Sequence, residues 1–223
     1  AFTDDDCIPD RNWLKEILNN FNKYERISAI FGTVVSYKPE GTNIKNLFCP
    51  STFEPNDSRF HFKPISHLNN VGFGNNFAYR TKDIKQIGGF NEYLGPGSQA
   101  KAAEDADIIL RSLINKKYIF TCAKAKVGHN RWLSSKELLY LHRDYFIGQI
   151  SCYGYYLSYG YSFALKVLIS DLLFLTNFSE LKMRYGLQGI KMLYLAFIKG
   201  WMNVSIMRIH ELRKKTLFYQ FKC

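Results

Sequence analysis

Ile27-Ser28-Ala29-Ile30-Phe31-Gly32-Thr33-Val34-Val35-Ser36-Tyr37 is dense in β-branched and aromatic residues and reads as a strand. Just upstream, Trp13-Leu14, Ile17-Leu18 and Phe21 recur at helical spacing, so residues 12–24 read as an amphipathic helix. Pro9 and Asp10 make a turn before it, and Ala1-Phe2-Thr3 looks like the end of a buried strand. Downstream, residues 38–68 hold Pro39, Gly41, Pro50, Pro55 and Pro64 and read as loop. Asn70–Arg80 is a strand broken by glycine, and Thr81 caps a short helix through Ile87 that Gly88-Gly89 ends. Residues 93–102 read as a flexible loop. Ala103–Asn115 follows as a helix with Glu104, Asp105 and Asp107 in its first turn, where the macrodipole favours carboxylates. Lys117–Val127 reads as a further strand. From Ser134 onward the pattern changes to long, apolar, tyrosine-rich helices. The expected organisation is an α/β domain over residues 1–133 and a helical, basic, aromatic-rich region over residues 134–223.

Composition narrows the class. The chain has 223 residues and 47% hydrophobic content, enough to bury a core, and its 16% aromatic content excludes a disordered chain. The net charge of +11 is uneven: from Arg131 onward there are 13 basic against 5 acidic side chains. That excess suits an anionic partner, or a solvated basic face. Cys7, Cys49, Cys122, Cys152 and Cys223 are scattered without a CxxC pair. Neither a disulfide framework nor a zinc site is expected, and reduced thiols in the cytoplasm fit better. No signal peptide and no stretch of about 18 uncharged apolar residues is visible.

Four groups of residues carry chemistry. Adjacent carboxylates at Asp4-Asp5-Asp6 repel one another, so their clustering is costly unless a cation or hydrogen-bond donors neutralise them. A hard divalent ion takes one or two such carboxylates together with substrate phosphate oxygens; a solvated acidic turn is the plain alternative. Glu104-Asp105 follows a glycine-rich loop and could supply a general base, or could simply be helix N-terminal charge. The glycines of Gly72-Phe73-Gly74-Asn75-Asn76, Gly88-Gly89-Phe90-Asn91-Glu92 and Gly95-Pro96-Gly97 either let backbone approach a ligand or serve turns. His129, in Gly128-His129-Asn130-Arg131-Trp132, offers an imidazole suited to Mn²⁺.

The order of these pieces resembles the family 2 glycosyltransferases of the GT-A fold. There a strand ends in Asp-x-Asp, as in Asp4-Asp5-Asp6, and a helix with Trp-Leu follows, as in Trp13-Leu14. A Gly-x-Asn-x-x-x-Arg strand comes next, matched by Gly74 to Arg80, then Ile-Gly-Gly-Phe-Asn-Glu at Ile87 to Glu92. Glu-Asp-x-Asp-x-x-x-Arg at Glu104 to Arg111 completes the set, and the match spans roughly residues 1–132. Each element is unspecific alone; five in order are specific.

The resemblance implies a partial GT-A, Rossmann-like mixed sheet and an inverting sugar transfer from a nucleotide-diphosphate sugar to an acceptor hydroxyl. Asp6 would bind the Mn²⁺ or Mg²⁺ that bridges the donor diphosphate and acts as a Lewis acid on the leaving group, with His129 as a further ligand. Asp4 and Asp5 would contact the donor ribose. Asp105 would deprotonate the acceptor, and Glu104 would shape the acceptor site with Gly74, Asn75, Asn76, Gly95, Gly97, Arg131 and Trp132. The Gly95-Pro96-Gly97 loop would close over the sugar. Arg131-Trp132 resembles the Arg-Trp of processive members, but the preceding Gln is absent and no processivity is expected. The family's N-terminal half, whose strands hold the nucleotide base, has no counterpart among these residues. The chain, which opens on Ala1 rather than Met, is therefore expected to be a fragment that binds donor weakly by itself.

Expected partners are the nucleotide-sugar donor, a glycan or lipid-linked acceptor, the cytoplasmic face of a membrane and, for the apolar helices, a second copy of the chain. Nucleic acid is not expected, because the aromatic tail carries no recognisable RNA or DNA motif. The competing function is a catalytically inactive, truncated transferase that acts as a binding module.

Overall fold

A computed structural model describes residues 1–64 and 70–220; of Phe178, Glu180 and residues 212–220 it describes the backbone. Residues 65–68 of the expected loop, and Cys223, lie outside the described residues. The chain is mixed α/β. In order it forms β1 (Phe2–Thr3), β2 (Cys7–Pro9), α1 (Trp13–Lys23), β3 (Ile27–Ser36), β4 (Arg59–His61) and β5 (Asn76–Tyr79). Then come α2 (Thr81–Gln86), α3 (Glu104–Ile114), β6 (Tyr118–His129), α4 (Ser135–Ser158), α5 (Phe163–Thr176) and α6 (Phe178–Gln220). It divides into two compact units, one of residues 1–91 and 104–138, the other of residues 92–103 and 139–223.

The first unit is built on a six-stranded mixed sheet ordered β1-β5-β3-β6-β2, with β4 pairing β6. Only β3 and β6 run parallel among the described strands; every other pairing is antiparallel. β3 sits at the centre and its first eight residues are buried, which is why it reads as a mostly apolar run, with Ser28 and Thr33 the polar exceptions, rather than an alternating one. Successive side chains of a strand face opposite sides of the sheet. Ile30, Val34 and Ala78 accordingly pack with Trp13 and Ile17 of α1. On the other face Phe31 stacks on Phe77, and the Tyr79 hydroxyl reaches Ser112 of α3. Two helices thus cover the two faces of one sheet.

Several local expectations change. In α1 only Trp13 and Ile17 are buried, while Leu14 and Leu18 are exposed, so the core stripe is one residue wide per turn. Phe2 and Thr3 of β1 are exposed, not buried, because β1 is an edge strand. The loop between β3 and β5 contains β4, three residues that show no periodicity of their own. Residues 7–9, read as leading into a turn, form β2, and β6 runs two residues further than expected to meet it.

The second unit consists of residues 92–103 and 139–223, and so holds most of α4 and all of α5 and α6. Leu175, Leu181, Ile190 and Leu193 form a core that Phe146, Phe174, Tyr185 and Phe197 cover. α4 and α6 approach closely at two glycines: a Cβ on Gly200 would lie 2.5 Å from the Ile150 Cβ, and one on Gly154 2.7 Å from Val204. α6 breaks at Gly186, whose φ of 65° suits glycine. Residues 93–102 are a turn tied by its own backbone bonds, Gly95 N–H to Ala102 O and Ser98 N–H to Gly95 O. Gly95 and Gly97 both have positive φ there. Among the described residues no helix is long and apolar enough to cross a membrane.

Candidate functional site

The short strands β1 and β2 bring the acidic triplet to the sheet. Thr3 pairs with Asn76, and the Thr3 hydroxyl donates to the Asn75 carbonyl at 3.0 Å, so Asp4 leaves β1 beside Gly74 and Asn75. The Asp4 carbonyl accepts from Cys7 N–H, which closes a turn over Asp5 and Asp6. The chain then enters β2, where Cys7 stands opposite His129 on β6, and Asn130 N–H donates to the Asp6 carbonyl at 2.8 Å. Asp6 and His129, far apart in sequence, therefore meet.

His129 is 2% exposed. Its Nδ1 lies 2.8 Å from the Pro50 carbonyl oxygen. A carbonyl only accepts, so Nδ1 carries a proton, and in the neutral ring Nε2 presents its lone pair. Nε2 lies 3.4 Å from Asp6 Oδ1 and makes no hydrogen bond among the described residues. Two acceptors thus face each other at close range, an arrangement that calls for a proton or a cation between them. The Sγ of Cys7 joins them: one ligand atom from each of Asp6, Cys7 and His129 lies within 4.8 Å of the others. These residues fit a divalent cation, since the neutral Nε2 held by an Nδ1–H bond is the form that ligates.

The second half of the site is the N-terminus of α3. Gly74 N–H donates to Asp105 Oδ2 at 2.9 Å, and Ala106 N–H donates to Oδ1 at 2.7 Å. Burial raises the Asp105 pKa against these bonds, and the charge of Asp4 adds to the rise. Glu104 is pushed up to about 7, first by burial and then by the charges of Asp105 and Asp4. Asp4 keeps much of its surface exposed, yet burial of its carboxyl and the neighbouring Asp6 raise its pKa. Asp4, Glu104 and Asp105 therefore lie within electrostatic reach of one another. Such a set of carboxylates is relieved by an arriving cation.

Other expected residues fall elsewhere. Asn76 is not an acceptor contact: it is fully buried, accepts from Trp13 Nε1 at 2.8 Å, and donates to the carbonyls of Thr33 at 2.7 Å and Ala125 at 2.9 Å. The Asn75 side chain is also buried; its amide donates to Ser51 O at 3.3 Å and its oxygen has no partner among the described residues. Gly74 serves by letting its N–H reach Asp105; a Cβ there would lie 3.3 Å from the Asp105 Cβ. Trp132 Nε1 donates to Tyr37 O, which pins it at the end of β3, and Arg131 is exposed. Asp5 is exposed on the turn. Gly95 and Gly97 belong to the second unit. The sequence reading missed Cys7 and the Pro50 carbonyl, the one because it was weighed only for CxxC spacing, the other because a backbone acceptor leaves no mark in sequence.

No protein-family profile, no characterised protein and no solved structure matches this chain.

Proposed function

We propose that the chain belongs to a GT-A-type glycosyltransferase resembling family 2, and that it transfers a sugar with inversion from a nucleotide-diphosphate donor to an acceptor hydroxyl. The observation that carries this reading is the pairing Thr3↔Asn76 together with the Gly74–Asp105 bond. Those two links draw the acidic triplet and the α3 carboxylates to the same end of the sheet. In open α/β sheets, ligands bind where strands end and helices begin. Asp6 and His129 would hold Mn²⁺ or Mg²⁺, which when bound offsets charge on the leaving diphosphate.

The chain's own groups do the rest. Asp4 and Asp5 would contact the donor ribose. Asp105, its two oxygens oriented by Gly74 N–H and Ala106 N–H, would take the acceptor proton; its raised pKa makes it a better base than an exposed carboxylate. Glu104 beside it would line the acceptor side. The test is transfer or hydrolysis of sugar nucleotides by the full-length gene product, supplied with Mn²⁺ and measured by release of nucleoside diphosphate. Asp105→Asn should lower the rate at least about 100-fold with an unchanged circular dichroism spectrum. Equal rates in both proteins would remove Asp105 as the base, and a folded protein inert toward every donor would favour the non-catalytic module.

The second unit supports a role for the enzyme at the cytoplasmic face of a membrane. Leu165, Ile169, Leu172 and Leu173 form an exposed stripe at helical spacing on α5. α6 exposes a similar series that includes Leu195, Ile198 and Met202, with Lys191 and Lys199 on the same helix. Apolar stripes flanked by lysine suit anionic lipid. The wild-type protein should sediment with phosphatidylglycerol vesicles, and Lys191→Glu with Lys199→Glu should release it. Full retention of the double variant would refute the lipid reading.

A further inference from the structure

We propose that Cys7 is a third protein ligand of the Asp6–His129 site and that this site takes a thiophilic divalent ion of the Zn²⁺ or Co²⁺ class in preference to Mg²⁺. The inference rests on the reading that Asp6 and His129 hold a cation, and it replaces the Mn²⁺ or Mg²⁺ of that reading with a softer ion. Cys7 and His129 are directly opposed in the antiparallel β2–β6 ladder, so their side chains rise from the same face of the sheet. Cys7 Sγ lies 3.9 Å from Asp6 Oδ1, and Asp6 Oδ1 lies 3.4 Å from His129 Nε2.

A tetrahedral ion with bonds of about 2.0 Å to oxygen and nitrogen and about 2.3 Å to sulfur separates its O and N ligands by about 3.3 Å and its O and S ligands by about 3.5 Å. The O–N pair already stands at that spacing. The sulfur stands 3.9 Å from the oxygen and within 4.8 Å of the nitrogen, so it must move inward to complete the set. The third requirement, a ligand nitrogen with no competing partner, is met by His129: Nδ1 is held at the Pro50 carbonyl, and the buried Nε2, 3.4 Å from Asp6 Oδ1, makes no hydrogen bond among the described residues.

The donor set decides the metal. Carboxylate alone accepts Mg²⁺ or Mn²⁺, but an imidazole and a thiolate select Zn²⁺ and its neighbours, and thiolate is a poor partner for Mg²⁺. Three protein ligands leave one position open, the pattern of a site that also receives a substrate or water. The thiol gives its proton to solvent as the Sγ–metal bond forms.

Co²⁺ is the probe, because a thiolate bonded to it produces an intense near-ultraviolet charge-transfer band that carboxylate and imidazole do not. The full chain titrated with Co²⁺ should develop this band at one equivalent. Zn²⁺ should displace the Co²⁺ and abolish the band, and millimolar Mg²⁺ should not. Cys7→Ser should lose the band and weaken Zn²⁺ binding by about 10–100-fold in calorimetry. Cys49→Ser should keep the band, although its sulfur lies 3.8 Å from the far nitrogen of His129. Co²⁺ that binds with d–d absorption but no thiolate band in the wild-type protein would overturn the role of Cys7 while leaving Asp6 and His129 as ligands. Absence of any Co²⁺, Zn²⁺ or Mn²⁺ binding would overturn both, and would mean that a proton bridges Asp6 and His129.

Discussion

Replacing Asn76 with alanine should cost more stability than any other single polar truncation in the sheet. β3 and β6 run in register from Ala29↔Ile119 to Gly32↔Cys122 and resume at Thr33↔Lys126, so residues 123–125 of β6 bulge out of the ladder. The bulge removes ladder partners from Thr33 O and Ala125 O, and the Asn76 amide donates to both. Its oxygen meanwhile accepts from Trp13 Nε1, which ties α1 to the same point. Gly32 is required beneath it, because a Cβ there would collide with Ala125 O and the Asn76 amide. Truncation strands three buried polar groups at about 1–3 kcal/mol each, a loss of at least about 3 kcal/mol if water relaxes part of the damage. That is a large fraction of the roughly 5–15 kcal/mol by which a domain is stable. Urea unfolding followed by tryptophan fluorescence reads it directly, because Trp13 is one of the partners. Asn75→Ala is the control: the neighbouring residue loses one bond of 3.3 Å and an oxygen that had none, and should cost about 1 kcal/mol or less. A loss below about 1 kcal/mol for Asn76→Ala, or equal losses for the two, would refute the view that this amide closes the bulge.

Three further outcomes are expected. Asp171 is buried in α5, receives a bond of 2.7 Å from Gln149, and is pushed up to about 6 by burial. Its raised pKa means its contribution is full below about pH 4 and is lost as pH rises through about 6, so Asp171→Asn should flatten the fall in urea midpoint over that window, by no more than about 3 kcal/mol. Glu104 follows the same sign with its value of about 7: stability falls as pH rises from about 4.5 to 7, and Glu104→Gln should remove that fall in pH-dependent denaturation curves. Gly200→Ala should destabilise in thermal melts: helix propensity gains about 1 kcal/mol, but the new Cβ at 2.5 Å from Ile150 forces α4 and α6 apart at about 1–3 kcal/mol.

Much of the first unit was legible because its signals are local. β3 carries its β propensity in nearly every residue, α1 carries a period, and α3 carries its acidic first turn, so each lay within a residue or two of its expected bounds. The illegible parts are those whose structure comes from elsewhere. β2 and β4 have three residues each, too few for a period to show, and exist because β6 offers backbone for both to pair with. Leu14 and Leu18 carry the same apolar signal as Trp13 and Ile17, but the sheet covers only one side of α1. Periodicity identifies the helix and does not tell how wide the facing surface is.

The site divides along the same line, and the division bears on what its residues do. Glu104-Asp105 and Asp4-Asp5-Asp6 announce themselves because charge clustering is visible in sequence. Asn75 and Asn76 looked equally exposed to a ligand, yet burial makes the second a brace for the β3–β6 bulge. His129 was visible only as a lone imidazole, and the ligand role proposed for it rests on three things the sequence does not print together. Pro50, deep in the loop after β3, supplies the carbonyl that fixes the proton on Nδ1. β2, a strand too short to foresee, sets Cys7 opposite it. The turn closed by Cys7 N–H on the Asp4 carbonyl delivers Asp6 to the free nitrogen. Each of these is a backbone event, so the side chains at the site could change without disturbing the scaffold that aims them. For that reason Cys7→Ser is expected to alter which ion binds and not whether β2 pairs with β6, and the amide exchange rates of residues 7–9 and 127–129 should be the same in both proteins.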